Sequence, residues 1–445
     1  MLRMFQWLNK ACHHTHAPQF IESFVLISCA VVFFSLGAHT SPVFIVLVSV
    51  LATAYLLVLF IVRSSHILMY KIVILSLLVL CMLVVPLFIQ IYDRQFAPEY
   101  ALTYHDGALQ SEIAFSFFQE AKNPYSETYY NTELGQNEVY RFFMGTNILN
   151  PALEHYVYLP GTFLLGGLAS LAENVLFGFS DERFLYLFVF VASTALLYNL
   201  LYAYRFGFVA LLLFALNPWT IHFLIQGRND ILPIFFITMT AWLLLKKKFL
   251  GAGLAFGLAL TVKQFTWILF PLIILYLYLR HQTKTTPIGR PVFLVGIPAL
   301  LVAALVITPF FLWQPNAFID DIILYASGSS SGLRYPINGI GFSRLFTLLG
   351  FDPFASFPFW AIMIPVGCIA AYLAIRYILL KNRLSSVLFS YAGLMFAIFV
   401  FARFFNDNHF FYIVDIAIVA IAARAHELTA TRHAGQISKS DHLQS

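Results

Sequence analysis

Long apolar runs separated by short polar segments dominate the hydrophobic pattern of this chain. A helix needs about 20 mostly apolar residues to cross roughly 30 Å of hydrocarbon, and many segments of the sequence approach or meet this requirement. The pattern therefore predicts an all-α, polytopic transmembrane helical bundle of about twelve spans. The predicted spans are 20–37, 43–62, 70–91, 184–204, 207–225, 230–245, 249–262, 265–280, 291–312, 359–379, 386–404 and 409–423.

The composition is typical of a membrane protein. Hydrophobic residues make up 60% of the chain and charged residues 11%, whereas soluble domains carry roughly 25% charged residues. The sequence contains no Walker A motif, no GxGxxG after a strand and no HExxH. ATP-driven transport, dinucleotide chemistry and zinc-dependent proteolysis therefore lack support.

The positions of the basic residues predict the orientation in the membrane. Lys and Arg are enriched in cytoplasmic loops. With both termini in the cytoplasm, every cytoplasmic connection carries a basic residue, whereas the opposite orientation would place Lys246–Lys248 outside. We therefore expect a multi-pass protein of the plasma (inner) membrane with both termini cytoplasmic. The absence of any Asn-x-Ser/Thr sequon fits a bacterial plasma membrane.

This orientation predicts two large non-cytoplasmic loops that carry interfacial helices. Within the first loop, the apolar stretch Tyr158–Phe179 contains Pro160, several glycines and Glu173, and is predicted to lie at or dip into the outer interface. The predicted parts are three N-terminal spans at 1–91, the first outer loop at 92–183, a six-span core at 184–312, the second outer loop at 313–358, and three spans with a cytoplasmic tail at 359–445.

Asp106 is the first candidate for chemistry. It follows Tyr104 and His105 at the start of the first outer loop, close to the predicted interface, and precedes a predicted amphipathic helix. A partly shielded carboxylate can act as a general base toward an alcohol, with His105 and Tyr104 as supporting groups. The alternative is a solvated loop acid, which is also the interpretation preferred for the weaker candidates Glu99, Glu112 and Glu120.

Lys263 interrupts a long apolar run over 249–280 that has basic residues at both ends. Such a run must form a hairpin, and each arm is too short to cross the hydrocarbon. The hairpin tip is therefore predicted to lie below the outer surface, where a lysine needs a cavity, water or an anion. The alternative is a lysine that extends to the outer interface.

Arg228 and Asp230 form a predicted outer turn before the sixth span. The turn contains either a local Arg–Asp pair that caps the next helix or an arginine that faces a lipid-borne phosphate.

Two further outer segments hold candidate residues. Asn406 and His409 lie in the turn before the last span, with Arg403 upstream. They form either a plain polar turn or part of a phosphate site. In the second outer loop, Ser327–Gly332 precedes Arg334 and is predicted as a gate or a linker.

The order of these features resembles the GT-C superfamily of integral-membrane glycosyltransferases, especially its polyprenyl-phosphate-mannose-dependent branch. The match extends over residues ~70–430, most of the chain. The residues that carry it are Tyr104–Gly107, Tyr158–Gly161 with Leu176–Gly178 and Arg183, Asn217–Pro218 with Gln226–Asp230, and Ala252–Gly253 with Lys263 and Pro271.

The resemblance implies transfer of a mannose-like sugar from a polyprenyl-phosphate donor to a hydroxyl acceptor on the outer face, with inversion. It implies that Asp106 is the base and that Lys263, Arg228 and, by a looser match, His409 contact the donor phosphate. The expected partners are this donor, a lipid or glycan acceptor and membrane lipids, with no nucleic acid. No cofactor is predicted, and no metal is indicated, because the acidic motif holds one carboxylate beside His105 instead of paired acids.

Two alternatives stay open from the sequence. A secondary transporter or lipid flippase would share the number of spans, but the sequence shows no internal repeat of the kind that transporters often carry. A polymerase or ligase of lipid-linked glycans would depend on outer-loop arginines such as Arg334 and Arg344 more than on an aspartate.

Overall fold

The computed structural model describes residues 17–36, 41–62, 66–97, 104–137, 140–143, 146–282, 289–330 and 332–443. The predicted N-terminal cytoplasmic tail and Glu99 lie outside these residues. The chain is 77% helical, and the described residues contain only four short strands, which supports the all-α class.

Seven helices of the described chain are long and apolar enough to cross a membrane, which supports a membrane protein. The number of twelve spans and the predicted orientation stay predictions. The seven are α1 (Ala17–Ser35), α2 (Pro42–Ile61), α3 (Ile67–Phe96, with a π-helical turn at Leu80–Val84), α7 (Arg183–Leu201), the segment Gly207–Gln226 made of α8 (Gly207–Ala215) and α9 (Pro218–Gln226), α13 (Arg290–Trp313) and α17 (Trp360–Lys381).

The remaining elements are shorter or extend beyond the apolar pattern. They are α4 (Asp106–Gln119), α5 (Glu133–Asn137), β1 (Tyr140–Phe143), β2 (Thr146–Leu149), α6 (Pro160–Phe177), α10 (Ile231–Leu245), α11 (Phe249–Val262), α12 (Leu269–His281), α14 (Pro315–Ile319), α15 (Tyr325–Ser327), β3 (Asn338–Gly339), α16 (Ser343–Leu348), α18 (Leu384–Val400), β4 (Phe404–Phe405) and α19 (Asp407–Leu443). Short 3₁₀ turns occupy Pro151–Leu153 and Gln264–Ile268, and a π-helical turn at Asp320–Leu324 joins α14 to α15.

The first of two compact units comprises Met1–Leu102, Thr194–Ile225 and Ile421–Ser445. Its interior holds a buried ion pair between Lys71 and Glu22, with 2.6 Å between Nζ and Oε2. The Tyr55 hydroxyl donates to the same carboxylate at 3.0 Å, and the Lys71 ammonium lies 4.2 Å from the ring centre of Phe208. Buried charges are tolerated when they are paired in this way.

The second unit comprises Thr103–Ser193 and Gln226–Ala420. In this unit α11 packs against α10 and α13, and α4 packs against α6. The approach of α11 to α13 is close, because a Cβ atom at Gly253 would lie 2.7 Å from the carbonyl oxygen of Val295. Small residues allow helix backbones to approach in this way.

The predicted hairpin over 249–280 consists of α11, the 3₁₀ turn Gln264–Ile268 and α12. Side chains of the two arms meet, since the rings of Phe256 and Phe270 are stacked with centres 6.0 Å apart. The Trp267 indole also donates to the Leu260 carbonyl at 2.8 Å. Lys263 has extended backbone angles, φ −146° and ψ 132°, which end α11. The side chain of Lys263 therefore emerges at the break between two helices.

Two short strand pairs fix loops of the second unit. β1 pairs antiparallel with β2, and both lie within the segment 92–183 that the sequence predicts as the first outer loop. β3 pairs parallel with β4, with Asn338 opposite Phe404. The second pair brings the segment after α15 against the turn that precedes α19.

Candidate functional site

A cavity of about 1150 Å³ lies within the second unit. Most of the predicted site residues line it, although they come from distant parts of the chain. The predicted residues that line the cavity are His105, Asp106, Arg228, Asp230, Lys263, Asn406 and His409. Tyr104 and Arg334 are not among the lining residues, and the predicted role of Arg334 stays a prediction.

Asp106 is the first residue of α4, and His105 is the residue that caps this helix. The Nδ1 atom of His105 accepts from the Gly107 amide at 3.0 Å, and the Asp106 Oδ1 atom accepts from the same amide at 2.8 Å. The positive end of a helix stabilises a carboxylate anion at this position. Gly107 has no room for a side chain, because a Cβ atom there would overlap the Tyr158 hydroxyl.

Tyr104 precedes His105 and Asp106, and contacts of its side chain hold this segment in place. Its hydroxyl donates to Glu112 Oε1 at 2.7 Å, so Glu112 is engaged and not merely a solvated acid. The Arg183 guanidinium lies 4.7 Å from the centre of the Tyr104 ring and is itself held by both carboxylate oxygens of Asp181. This buried cluster fixes the backbone that leads into Asp106.

Lys263 is buried and forms an ion pair with Asp230. The second oxygen of Asp230 accepts from the Asn408 side-chain amide at 2.9 Å. The Lys263 ammonium also lies 5.6 Å from the ring centres of both Tyr158 and Phe265. The amine thus lies among protein groups in the cavity wall.

Arg228 donates to Asp407 at 2.9 Å and to the side chain of Gln226 at 3.0 Å. The structure places Asp230 against Lys263, and the Asp230 side chain makes no capping hydrogen bond to α10. The local Arg–Asp cap considered from the sequence is therefore not the arrangement seen. Each of the two cations has a carboxylate partner from a distant turn.

The turn before α19 supplies further polar groups. The backbone amide of Asn406 donates to His409 Nδ1 at 3.3 Å. The His409 ring stacks on Phe399 with ring centres 4.6 Å apart. The Asn406 side chain donates to the Tyr335 hydroxyl at 3.1 Å. These contacts hold His409 in the cavity wall.

Arg403 does not lie in the phosphate site that the sequence suggests for the turn before the last span. Its guanidinium donates to the backbone carbonyls of Tyr335, Ala355 and Pro353 at 2.7, 3.0 and 3.3 Å. It is not among the residues that line the cavity. Arg403 therefore holds the backbone of residues 335–355 in place, and its contacts do not indicate a phosphate site.

Several groups at the site were not singled out from the sequence. Asp407 and Asn408 line the cavity and lie between the predicted residues Asn406 and His409, but the sequence does not mark them as site residues. The same holds for Asp321, which also lines the cavity. Asp321 contacts His155 across 166 positions of the chain. The only local signal for Asp321 in the sequence is the pair of adjacent acids Asp320–Asp321.

No known protein family, no curated protein and no solved structure matches this chain. The resemblance to the GT-C superfamily therefore stays a prediction that rests on the sequence motifs.

Proposed function

We propose that this protein is a membrane glycosyltransferase that acts on the outer face of the plasma membrane. It transfers a mannose-like sugar from a polyprenyl-phosphate donor to a hydroxyl group of a lipid or glycan acceptor, with inversion. The observation that carries this proposal is that one carboxylate, Asp106, and two cations, Lys263 and Arg228, line a single cavity.

Asp106 is the general base in this mechanism. The acceptor hydroxyl loses its proton to the carboxylate while its oxygen attacks the anomeric carbon of the donor sugar. The bond from the anomeric carbon to the phosphate oxygen breaks, and polyprenyl phosphate leaves with the bonding electrons. The Gly107 amide, which donates to Asp106 Oδ1 at 2.8 Å, holds the carboxylate in position for this step, and the His105 ring lies beside it with Nδ1 3.2 Å from the same oxygen.

Lys263 and Arg228 stabilise the charge that develops on the departing phosphate. Their partners Asp230 and Asp407 hold both cations in place before the donor arrives. Cations that are already oriented need little reorganisation during the reaction, which is the main source of electrostatic catalysis in a site shielded from water. Asn406 and His409 add polar contacts on the same wall.

An apolar part of the cavity wall suits a donor that carries an isoprenoid chain. It consists of residues from the 3₁₀ turn after Lys263 and from α18, namely Trp267, Ile268, Met395, Ile398 and Phe399. Because these side chains line the same cavity as Lys263 and Arg228, one ligand with a charged group and an apolar tail can use both surfaces.

A polymerase or ligase of lipid-linked glycans is the second candidate. The observation in its favour is that Arg344, an outer-segment arginine, lines the same cavity. Replacement of Arg344 by Gln separates the candidates, since the polymerase or ligase mechanism needs this arginine and the proposed mechanism needs Asp106.

The proposal is tested by replacing Asp106 with Asn, which keeps the size of the side chain and removes the base. Loss of a general base lowers a rate on the order of 10²–10⁴-fold. We expect this loss of sugar transfer in liposomes that contain the purified variant, polyprenyl-phosphate mannose and an extract of cell-envelope lipids and glycans.

The matched control is Glu120→Gln, which removes an exposed carboxylate at the other end of α4 and is expected to leave transfer unchanged. Mass spectrometry of envelope glycans from a deletion strain, complemented with each variant, identifies the product. Full transfer by the Asp106→Asn protein, or envelope glycans that do not change on deletion, would contradict the proposal.

A further inference from the structure

Three side chains with metal-ligating atoms meet where the first outer segment contacts the second. His155 follows the 3₁₀ turn Pro151–Leu153, and Asp320 and Asp321 begin the π-helical turn before α15. The His155 Nδ1 atom lies 2.8 Å from Asp321 Oδ1 and 3.8 Å from Asp320 Oδ2. One ligand atom from each residue can be chosen so that all lie within 4.8 Å of one another.

The surrounding protein holds two of these groups in place. The second oxygen of Asp321 accepts from the Tyr156 amide at 2.9 Å, and the His155 ring packs on Tyr325 with centres 4.6 Å apart. The backbone carbonyl of His155 accepts from Gln110 at 2.6 Å. Both His155 and Asp321 are only 3% exposed. The ligand atoms are therefore ordered by contacts that do not depend on an ion.

The ring of His155 is oriented with one nitrogen toward the carboxylates. Its other nitrogen, Nε2, is buried and has no hydrogen-bond partner among the described residues. The polar contacts that fix the ring thus lie on the Nδ1 side, where both aspartates are found.

The geometry and the ligand types match a divalent transition-metal ion. Metal–ligand bonds of 2.0–2.2 Å place neighbouring ligand atoms about 3.0–3.5 Å apart. The separations of 2.8 and 3.8 Å lie a few tenths of an ångström below and above this range, so small side-chain shifts would bring the three ligand atoms around one ion. One imidazole with two carboxylates favours Zn²⁺ or Mn²⁺ over Mg²⁺ or Ca²⁺, which prefer oxygen ligands alone.

We propose that His155, Asp320 and Asp321 bind one divalent transition-metal ion, Mn²⁺ or Zn²⁺, which joins the two outer segments. Three protein ligands leave at least one coordination position for water or for another oxygen ligand. Asp321 also lines the cavity that contains Asp106, so the ion is adjacent to the proposed active site. The metal site goes beyond the proposed glycosyl transfer and does not rest on it.

The alternative is a hydrogen-bonded His–Asp pair that needs no ion. In that arrangement Asp320 is dispensable, because the His155 Nδ1 atom already has Asp321 as its partner at 2.8 Å. In the metal site both carboxylates are ligands. Asp320, whose side chain is 19% exposed, is therefore the residue that separates the two arrangements, and its replacement by Asn perturbs the buried pair least.

The experiment uses the full-length protein in detergent, freed of any affinity tag and stripped with a chelator. MnCl₂ or ZnCl₂ is added, bound metal is counted by elemental mass spectrometry, and affinity is measured by calorimetry and by the shift in melting temperature. His13, His14 and His16 of the N-terminal tail, which lie outside the described residues, are replaced by Asn in every sample so that any metal they bind is not counted.

We expect one ion per chain, a rise in melting temperature on binding, and an affinity that falls at least about tenfold in Asp320→Asn, Asp321→Asn and His155→Gln. Glu120→Gln is expected to bind as the parent chain does. Binding that is absent from the parent chain, or that Asp320→Asn leaves unchanged, would overturn the metal site. Because no sugar is present, this result is independent of the transfer assay.

Discussion

Lys263 and Arg228 each have a carboxylate partner in the cavity wall before any ligand is present. A buried charge left without a partner is costly, and breaking a buried pair destabilises a protein by about 3–5 kcal/mol. A substitution of Lys263 alone therefore has two effects. It removes a proposed phosphate contact, and it leaves the buried carboxylate of Asp230 without its cation.

A double substitution separates these effects. We expect Lys263→Met to lower kcat/KM for the donor about 10–100-fold, the amount that corresponds to a lost hydrogen bond to a charged group of 1.5–3 kcal/mol, and to lower the melting temperature. Lys263→Met with Asp230→Asn is expected to recover the melting temperature and not the donor kinetics, measured in the liposome transfer assay. Recovery of both properties by the double variant would assign Lys263 a purely structural role.

The sequence carried much of the information about which residues meet at the cavity, and little about how they pair. Asp106, Lys263 and Arg228 were identified because polar residues stand out at the ends of apolar runs. Their partners could not be identified in this way, since Arg228 and Asp407 are 179 positions apart. Pairing of this kind depends on the tertiary arrangement of several turns, which hydrophobic periodicity does not encode.

At the scale of elements, α11 is the helix that positions Lys263, and its contact with α13 depends on Gly253. A Cβ atom at Gly253 would lie 2.7 Å from a backbone oxygen of α13, whereas a Cβ atom at Gly251 would lie 3.5 Å or more from any neighbour. The two glycines are two positions apart on one helix and therefore form a matched pair for substitution.

We expect Gly253→Ala to destabilise the protein by about 1–3 kcal/mol, the usual cost of excess volume in a packed contact. Gly251→Ala is expected to be neutral or stabilising, because alanine favours helix by about 1 kcal/mol over glycine. Thermal unfolding in detergent measures both. Equal melting temperatures for the two variants would show that the α11–α13 contact adapts to the added methyl group.

Predicted and observed elements differ where the backbone departs from a regular helix. The predicted span 265–280 starts as the 3₁₀ turn Gln264–Ile268 and becomes α12 only at Leu269, because the tip of the hairpin needs a turn before the second arm begins. The helix α19 extends from Asp407 to Leu443, beyond the predicted span 409–423. Its later residues include Ala, Arg and Glu, which favour helix without being apolar, so a search for membrane spans ends too early.

At the scale of the whole molecule, the cavity belongs to one compact unit and the Lys71–Glu22 pair belongs to the other. The two regions thus provide separate tests of stability and of ligand binding. The pair is buried, with Tyr55 as a further hydrogen-bond donor to Glu22. Its contribution to stability is accessible through single and double substitutions.

We expect Lys71→Met alone to destabilise the protein by about 3–5 kcal/mol, since Glu22 is left buried without its cation. Lys71→Met with Glu22→Gln is expected to regain most of this loss. The KM for the donor is expected to stay unchanged in both variants. A donor KM that rises in Lys71→Met and falls again in the double variant would contradict the separation of the two regions.

Under the proposed function, the pairing of charges in the cavity affects which membrane lipids enter it. The wall carries Asp106, Asp230, Asp321 and Asp407 against Lys263, Arg228 and Arg344, so it has no strong positive potential. Ordinary anionic phospholipids, which vastly outnumber any rare lipid carrier, gain little by entering on charge alone. Occupancy then goes to the molecule that also offers a fitting tail and headgroup, and competition from the bulk lipid is weak.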